Sequence, residues 1–219
     1  MSFDPAAIDG QRKHWQRVFA ENADMYGTDL SDPARFALDS LTRASALDVL
    51  ELGAGQGRDT LAFLSAGYRV TALDYAEDAL RTLAETAVQR GIAERLTTIA
   101  HDVRRPLPLP DESMDVAYSH MLFNMALSTS ELDALGQEVH RVLRRGGLHI
   151  YTVRHVGDSH YGSGISHGDG MFENGGFIVH FFDEALVDRL ATGFAVVDRA
   201  EFEEGALPRK LWRITTRKQ

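Results

Sequence analysis

The sequence predicts an α/β fold in which a mostly parallel sheet carries helices on both faces. Segments with the period of a strand alternate along the chain with segments that have the period of a helix, which is typical of such sheets. The apolar segment 49–52 runs directly into a turn with three glycines, Gly53, Gly55 and Gly57. The next apolar segment ends in Asp74, 21 positions after Gly53. Nucleotide-binding βαβ units place a ribose-binding acid about 20 residues after the glycine turn.

Periodicity and turn residues define the individual elements. The predicted strands lie at 49–52, 70–74, 96–100, 114–118, 148–153, 195–200 and 211–216. The predicted helices lie at 11–22, 33–43, 76–88 and 183–191. A further helix begins at a possible capping box formed by Ser128 and Glu131, and we expect Gly146 and Gly147 to end it.

The glycine pattern separates two classes of cofactor. A dinucleotide site needs G-x-G-x-x-G, with a third small residue that lets helix and strand pack closely beneath a pyrophosphate. Arg58 stands at that third position here. Gly53, Gly55 and Gly57 still allow a sharp bend and a close approach of the backbone to a ligand. The turn therefore indicates a nucleoside cofactor without a pyrophosphate.

Glu51 followed by the three glycines resembles the E/D-x-G-x-G-x-G first motif of class I S-adenosylmethionine-dependent methyltransferases. Segments 102–103, 111–120 and 140–148 match later motifs of that family in order and spacing. The resemblance implies a Rossmann-like sheet with the strand order 3-2-1-4-5-7-6, closed by an antiparallel C-terminal hairpin strand.

The same resemblance implies S-adenosylmethionine as the cofactor and assigns roles to residues. Glu51 would reach the amino group, Asp74 the ribose and Asp102 the adenine amino group, while the amide of Val103 would meet a ring nitrogen. Arg58 either pairs with the methionine carboxylate or forms a surface ion pair. The full set of expected cofactor-binding residues is Glu51, Gly53, Ala54, Gly55, Gly57, Arg58, Asp74, Tyr75, Asp102, Val103 and Ser119.

Segments 55–60 and 66–70 are similar to small-molecule methyltransferases related to the tellurite-resistance and thiopurine enzymes. We therefore expect methyl transfer by in-line displacement to the oxygen, nitrogen or sulfur of a small molecule, or to a chalcogen oxyanion. The alternative is an S-adenosylmethionine-binding sensor or partner subunit that transfers no methyl group. A protein or RNA methyltransferase is disfavoured by the acidic charge, and a dehydrogenase is a third choice.

Segment 154–182 is expected to be a long acceptor-side loop. Its part from 155 to 180 holds four of nine histidines and seven of nineteen glycines, a composition that suits a binding lid. The expected catalytic residues are His120, His155, Tyr161 and His167, with help from Arg154 and His180. An ordinary flexible crossover remains the alternative for this loop, and a hydrogen-bonded core histidine is the alternative for His120.

No metal site is predicted. Ligand-type side chains occur in the same segment, but their spacing matches no familiar metal motif. They are His155, His160, His167, Asp169, Glu173 and His180. The chain has no cysteine, which excludes thiolate sites and disulfides.

Composition suits one domain, 1–219, in which 1–44 forms an N-terminal helical cap. A net charge of -9 argues against nucleic acid as a substrate, and no apolar stretch reaches the ~18 residues of a membrane span. Without a basic leader, we expect a cytoplasmic monomer or homodimer.

Trp15, Phe19, Met25 and Tyr26 belong to the cap, where core packing is the favoured role. Arg209 lies either at the pocket mouth or in a solvated turn.

Overall fold

The structure is a computed structural model that describes residues 5–21, 27, 29–44, 48–205 and 209–219. The strands are β1 (Asp48–Leu52), β2 (Arg69–Asp74), β3 (Leu96–Ala100), β4 (Met114–His120), β5 (Leu143–Arg154), β6 (Ile165–Gly168), β7 (Met171–Asn174), β8 (Phe177–His180), β9 (Phe194–Glu204) and β10 (Arg209–Lys218). The α-helices are α1 (Pro5–Glu21), α2 (Asp32–Ala44), α3 (Arg58–Ser65), α4 (Glu77–Gln89), α5 (Thr129–Val142) and α6 (Glu184–Leu190). Met25, Tyr26 and Pro208 lie outside the described residues.

Seven strands form the central sheet, in the order β3-β2-β1-β4-β5-β10-β9. The first five strands in this order are parallel, and β10 runs antiparallel to both β5 and β9. Because β9 and β10 are the sixth and seventh strands of this sheet along the chain, the predicted strand order is confirmed. The order reverses between β1 and β4, and such a switch point opens a crevice at the carboxyl ends of the strands.

Side-chain alternation divides the apolar residues of the sheet between two cores. Val49, Val116 and Ile150 belong to the core that also contains buried side chains of α2, α3 and α4. Leu50 and Ala117, their neighbours in sequence, belong to the core that contains side chains of α5 and α6. The sheet is therefore covered on both faces, as the sequence predicts.

Helix α5 begins where the sequence predicts and ends earlier than predicted. Ser128 accepts a hydrogen bond from the Glu131 amide, and the Glu131 carboxylate accepts one from the Ser128 amide, which completes the capping box. The helix ends at Val142, and Gly146 and Gly147 lie inside β5, where the pairing with β4 shifts register. The two glycines therefore serve this irregular part of the strand, and the prediction that they end the helix was wrong.

Segment 154–182 is not a loop without regular structure, which corrects the prediction. Strands β6, β7 and β8 form a three-stranded antiparallel sheet within it, here called the small sheet. Asp169, in its first turn, accepts hydrogen bonds from the amide and hydroxyl of Thr129 at 2.6 and 2.7 Å. Four-residue strands separated by glycine turns leave too short an alternating pattern for sequence reading to detect.

Helix α1, in the predicted cap 1–44, packs against the small sheet. Gln11 donates to the carbonyl of Gly176 and accepts from the amide of Ile178. The ring centroids of Trp15 and Phe177 lie 5.0 Å apart. No helix in the described part of the chain is long and apolar enough to cross a membrane.

Replacement of Gly57 by alanine should destabilise the fold more than the same change at another left-handed glycine. Gly57 has φ 85°, and an added Cβ would overlap Leu83 Cδ1 in α4. Gly91 has φ 67°, and a Cβ added there would have no other atom within 4 Å. Left-handed strain alone costs about 1–3 kcal/mol, and overpacking adds about 1–3 kcal/mol.

Urea unfolding of the two variants measures the difference. Gly91→Ala should show only the strain, and Gly57→Ala both effects. In a double-mutant cycle, Gly57→Ala should cost less in a Leu83→Ala background than in the parent, because the smaller side chain leaves room for the added Cβ. Equal free energies of unfolding for the two single variants would contradict the packing of Gly57 on Leu83.

Candidate functional site

Backbone hydrogen bonds tie the glycine turn to the end of β2. The amides of Gly53 and Ala54 both donate to the carbonyl of Leu73, at 2.8 and 3.1 Å. The amide of Gly55 donates to Asp74 Oδ2 at 2.9 Å. Gly53 and Gly55 have positive φ, which glycine adopts at little cost. The turn is therefore held against the end of the neighbouring strand.

Asp74 is buried and remains able to accept further hydrogen bonds. Its Oδ1 accepts from the Ala76 amide at 2.8 Å, and its Oδ2 from Gly55. Burial raises the pKa of this carboxyl above its ordinary value, against the opposing effect of the amide donors. Since each carboxylate oxygen has two lone pairs, Asp74 can also receive hydrogen bonds from hydroxyl groups of a ligand.

Of the two buried carboxyl groups Glu51 and Asp74, Glu51, at the end of β1, accepts fewer hydrogen bonds from the protein. Its one hydrogen bond to another described side chain comes from the Thr60 hydroxyl. Burial and the nearby Asp59 carboxylate raise the pKa of Glu51 to about 8. A cationic amino group beside Glu51 would favour the charged carboxylate again. The position therefore suits a ligand ammonium group.

A cavity of about 390 Å³ opens at the carboxyl ends of the parallel strands. This volume lies within the range of about 300–1,000 Å³ that is usual for small-molecule sites. The glycine turn and the acids at the ends of β1 and β2, Glu51 and Asp74, line part of the cavity. Of the predicted cofactor residues, those that line it are Glu51, Gly53, Ala54, Gly55, Arg58, Asp74, Tyr75 and Val103.

Three predicted cofactor residues do not line this cavity. Asp102 lines an adjoining recess of about 40 Å³ together with Tyr75 and Val103, and Arg104 Nη2 donates to its Oδ2 at 2.6 Å. Gly57 packs on Leu83 instead.

Ser119 is the third of these residues and is fully buried. Alternation along β4 places it on the face of Ala117, which packs in the core with α5 and α6. The expectation that the strand end frees Ser119 to meet the cofactor was wrong.

His120 lies at the opposite side of the cavity in a hydrogen-bonded chain. Its Nδ1 is 2.7 Å from Thr152 Oγ1, and its Nε2 is 3.2 Å from Glu204 Oε2. Thr152 Oγ1 already accepts from the Met121 amide, so its own proton can be donated to His120 Nδ1. Nε2 then carries the imidazole proton and donates it to Glu204. The hydrogen bond from His120 holds the pKa of Glu204 below its usual value.

Sequence reasoning missed Glu204. It lies in β9, 84 positions after His120, on a strand that also carries Asp198, Glu201 and Glu203, so that no feature of the sequence distinguishes it from the other acids. The only indication available was the expected closing hairpin, which carries no chemical motif. Pairing of β10 with β5 and β9 brings Glu204 to the cavity.

The other predicted catalytic residues lie away from the cavity, which corrects their assignment. His155 stacks on Trp212 with ring centroids 4.5 Å apart. His167 pairs with Glu173 at 2.8 Å within the small sheet. Tyr161 is 44% exposed and packs against Phe172. His167 and Tyr161 thus have partners in the small sheet, and His155 has its partner in β10.

Other residues of the same segment do line the cavity. Arg154 and His160 lie on its wall with Asn174, whereas His180 is buried and its Nδ1 contacts the Leu127 carbonyl at 2.7 Å. Within the described ranges, no three histidine or acidic side chains come together as a group that could hold a metal ion. Arg209 lines the cavity as well.

Aromatic residues of α1 and the small sheet cover the cavity. Trp15, Phe19 and Phe177 line it, and the ring centroids of Trp15 and Phe19 are 5.5 Å apart. An added Cβ at Gly55 would lie 3.2 Å from the Phe19 ring. Trp15 and Phe19 therefore form part of the site, whereas the sequence favoured core packing.

Comparison with known proteins identifies the domain. Residues 49–147 match the model of a family described as a methyltransferase domain. A solved structure of 1,6-didemethyltoxoflavin-N1-methyltransferase from Burkholderia thailandensis, with bound 1,6-didemethyltoxoflavin and S-adenosylhomocysteine, is 25% identical, with a TM-score of 0.74 over 98% of this chain and 88% of that chain. Residues 49–147 of this chain are therefore similar to a methyltransferase domain. The Burkholderia enzyme binds S-adenosylhomocysteine, the product that S-adenosylmethionine leaves after methyl transfer.

Two further proteins are similar to this chain, one in sequence over part of its length and one in fold. An uncharacterized methyltransferase from Mycobacteroides abscessus is 33% identical over 135 residues, which are 58% of this chain and 50% of that protein. The chain spans half or less of the curated relatives that it matches. TehB from Haemophilus influenzae is 17% identical, with a TM-score of 0.69 over 94% of this chain and 67% of that chain. This last likeness shows the fold alone.

The raised pKa of Glu51 predicts a pH-dependent stability of the cofactor-free protein. Between its ordinary pKa of 4.5 and the folded value of about 8, the folded chain binds more protons at Glu51 than the unfolded chain does. The stability that this protonation contributes is present below about pH 4.5 and is lost as the pH rises through about 8. Glu51→Gln should therefore become more stable than the parent as the pH rises.

Thermal unfolding at about pH 5 and about pH 8.5 brackets most of this window. The difference in Tm between Glu51→Gln and the parent should grow at the higher pH. Glu85→Gln, at an exposed position of α4, is the matched control and should show no such growth. A difference in Tm that is the same at both pH values would contradict the burial of an uncompensated Glu51 carboxyl.

Proposed function

We propose that this protein transfers the methyl group of S-adenosylmethionine to a small-molecule acceptor. The observation that carries the proposal is a single cavity that joins two sets of groups. One set consists of the glycine turn, Glu51 and Asp74, and the other of His120 and Glu204. A cofactor held by the first set would present its reactive end toward the second, where an acceptor can bind.

The residues of the first set fit the parts of the cofactor. Asp74 would accept hydrogen bonds from ribose hydroxyls, and Glu51 would pair with the amino group of the methionine part. Val103 and Tyr75 line the same recess as Asp102. This recess would hold the edge of the adenine ring. When bound, S-adenosylmethionine supplies a methyl group on a positively charged sulfur, so no covalent enzyme intermediate is needed.

The second set supports proton removal from the acceptor. An O–H or N–H group that is hydrogen-bonded to Glu204 would lose its proton to the His120–Glu204 pair as the new bond to the methyl carbon forms. Thr152 fixes the imidazole orientation from the far side. A sulfur or chalcogen anion would not need this step. The aromatic cover of Trp15, Phe19 and Phe177 would exclude water from the reacting atoms.

Support for a small acceptor comes from the cavity and from one relative. The cavity of about 390 Å³ would hold both cofactor and acceptor, and a volume of this size suits a small acceptor. The toxoflavin-precursor methyltransferase that matches nearly the whole chain has a small heteroaromatic acceptor bound in its structure. We propose that the methyl acceptor of this protein is a molecule of similar size.

Asp74→Asn should weaken S-adenosylmethionine binding about tenfold or more, because hydrogen bonds to a charged group contribute about 1.5–3 kcal/mol each. The amide nitrogen of the variant also cannot accept from the Gly55 amide. Isothermal titration calorimetry measures the dissociation constant. Asp78→Asn, on the exposed surface of α4, is the matched control and should bind as the parent does. Tight binding of NAD without binding of S-adenosylmethionine would overturn the proposed function.

His120→Gln should lower turnover about 10²–10⁴-fold, the usual contribution of a positioned acid or base, and leave cofactor binding unchanged. His167→Gln is the control, since His167 pairs with Glu173 outside the cavity, and it should change neither quantity. Methyl-labelled S-adenosylmethionine with a pooled panel of phenols, amines, thiols, carboxylates and oxyanions, read by mass shift, first identifies an acceptor. Cofactor binding with no methylated product from any acceptor class would favour a sensor or partner subunit instead.

A further inference from the structure

A buried carboxylate, Asp158, organises the acceptor side of the cavity. Its side chain has no exposed surface. It accepts from Arg154 Nη2 at 2.5 Å and from Arg154 Nε at 3.1 Å. The amides of His160 and Lys210 donate to its two oxygens at 2.8 and 2.9 Å. One carboxylate thus joins the end of β5, the segment after it and the start of β10.

The residues that Asp158 gathers present nitrogen donors to the cavity. Arg154 and His160 line the cavity wall, and so does Arg209, the neighbour of Lys210. No other acidic residue among those described takes part in the hydrogen bonds that fix this arrangement. The burial of Asp158 raises its pKa, but the hydrogen bonds from Arg154 and the two amides outweigh that effect and hold the pKa below its usual value.

Arg154 is rigid and still has donors to offer. Its side chain is 7% exposed, and its guanidinium carbon lies 5.1 Å from the centroid of the Phe181 ring. Its amide donates to Asn124 Oδ1. Asp158 holds Nε and Nη2, which leaves Nη1 without a hydrogen bond to any residue in the described part of the chain. A guanidinium fixed in this way is preorganised for a planar anion.

Arg209 adds a second positive charge that Asp158 does not neutralise. Its side chain forms no hydrogen bond or ion pair with any other described residue. Glu204, opposite Arg209 in the β9–β10 pairing, is hydrogen-bonded to His120, and the charge of Arg209 also helps to lower its pKa. Two guanidinium groups therefore share this wall with one enclosed carboxylate, Asp158, and the reacting pair lies beside them.

We infer that Arg154, His160 and Arg209 form a subsite for an anionic oxygen group, such as a carboxylate, of the methyl acceptor, and that Asp158 is the positioning residue of this subsite. The inference rests on the proposed methyl transfer. It makes the acceptor a small acid with two distinct ends. The anionic end lies against the two arginines, and the end that receives the methyl group lies against His120 and Glu204.

Matched acids and amides test the subsite. The protein is first titrated with S-adenosylhomocysteine, and the complex is then titrated with para-hydroxybenzoate, indole acetate and their primary amides. We expect each acid to bind about tenfold tighter than its amide, as one charge-assisted hydrogen bond to arginine would give. Arg209→Gln should remove most of that preference, and Arg217→Gln, an exposed arginine of the same strand, should retain it.

Asp158→Asn tests the positioning role. With an acceptor found by methylation, it should raise KM for the acid more than kcat falls, while affinity for S-adenosylhomocysteine stays unchanged. Arg209→Gln gives the decisive answer if Asp158→Asn does not fold. Equal affinity for acids and amides, or no binding of any acid to the complex, overturns the subsite alone. Failure of S-adenosylhomocysteine to bind overturns the proposed function instead.

Discussion

The hydrogen bonds between the glycine turn and the end of β2 are the constraint on which the rest of the site depends. Three consecutive amides, from Gly53 to Gly55, donate to Leu73 and Asp74. These bonds fix where the turn lies relative to the acid of the next strand. A change in the register between β1 and β2 would separate Glu51 from Asp74 and place alternate side chains on the wrong face. The two acids that suit the cofactor are therefore positioned by backbone geometry.

The three acids near the turn differ in how completely the protein satisfies them. Asp59 is held by the amide and hydroxyl of Ser31 and by the Tyr118 hydroxyl. Asp74 receives two backbone amides, and Glu51 receives a hydroxyl. An acid that accepts several hydrogen bonds from the protein serves the fold, and one that accepts a single hydrogen bond can still accept others from a ligand. The number of hydrogen bonds that each acid accepts from the protein thus distinguishes Asp59, a structural carboxylate, from Glu51, a carboxylate suited to binding.

The acceptor half of the cavity is built by elements far apart in the sequence. The C-terminal hairpin supplies Glu204 and Arg209, and the turn after β5 supplies Asp158, which ties that hairpin to Arg154 and His160. The small sheet and α1 then cover the opening, and Gln11 joins the two by a pair of hydrogen bonds. The domain motif spans residues 49–147, so most of these groups lie outside it. The glycine turn, Glu51 and Asp74 therefore lie within the segment that matches the domain model, and the residues of the proposed anion subsite lie outside it.

The sequence by itself determined the strands of the central sheet, the glycine turn and the spacing of Gly53 and Asp74, because each is written in local period or in short fixed spacing. The strand order followed from the resemblance of these motifs to a known family. Only the tertiary structure decided which polar side chains meet the cavity. The alternation of side chains along β4 buries Ser119. His167 and Tyr161 contact residues of the small sheet, and His155 stacks on Trp212 of β10. Glu204 meets His120, 84 positions away, and Asp158 joins Arg154 and His160 to Lys210, 52 positions away; no local pattern predicts such distant contacts. A histidine-rich segment indicates chemistry through its composition, but the direction of each side chain depends on backbone pairing that composition does not encode.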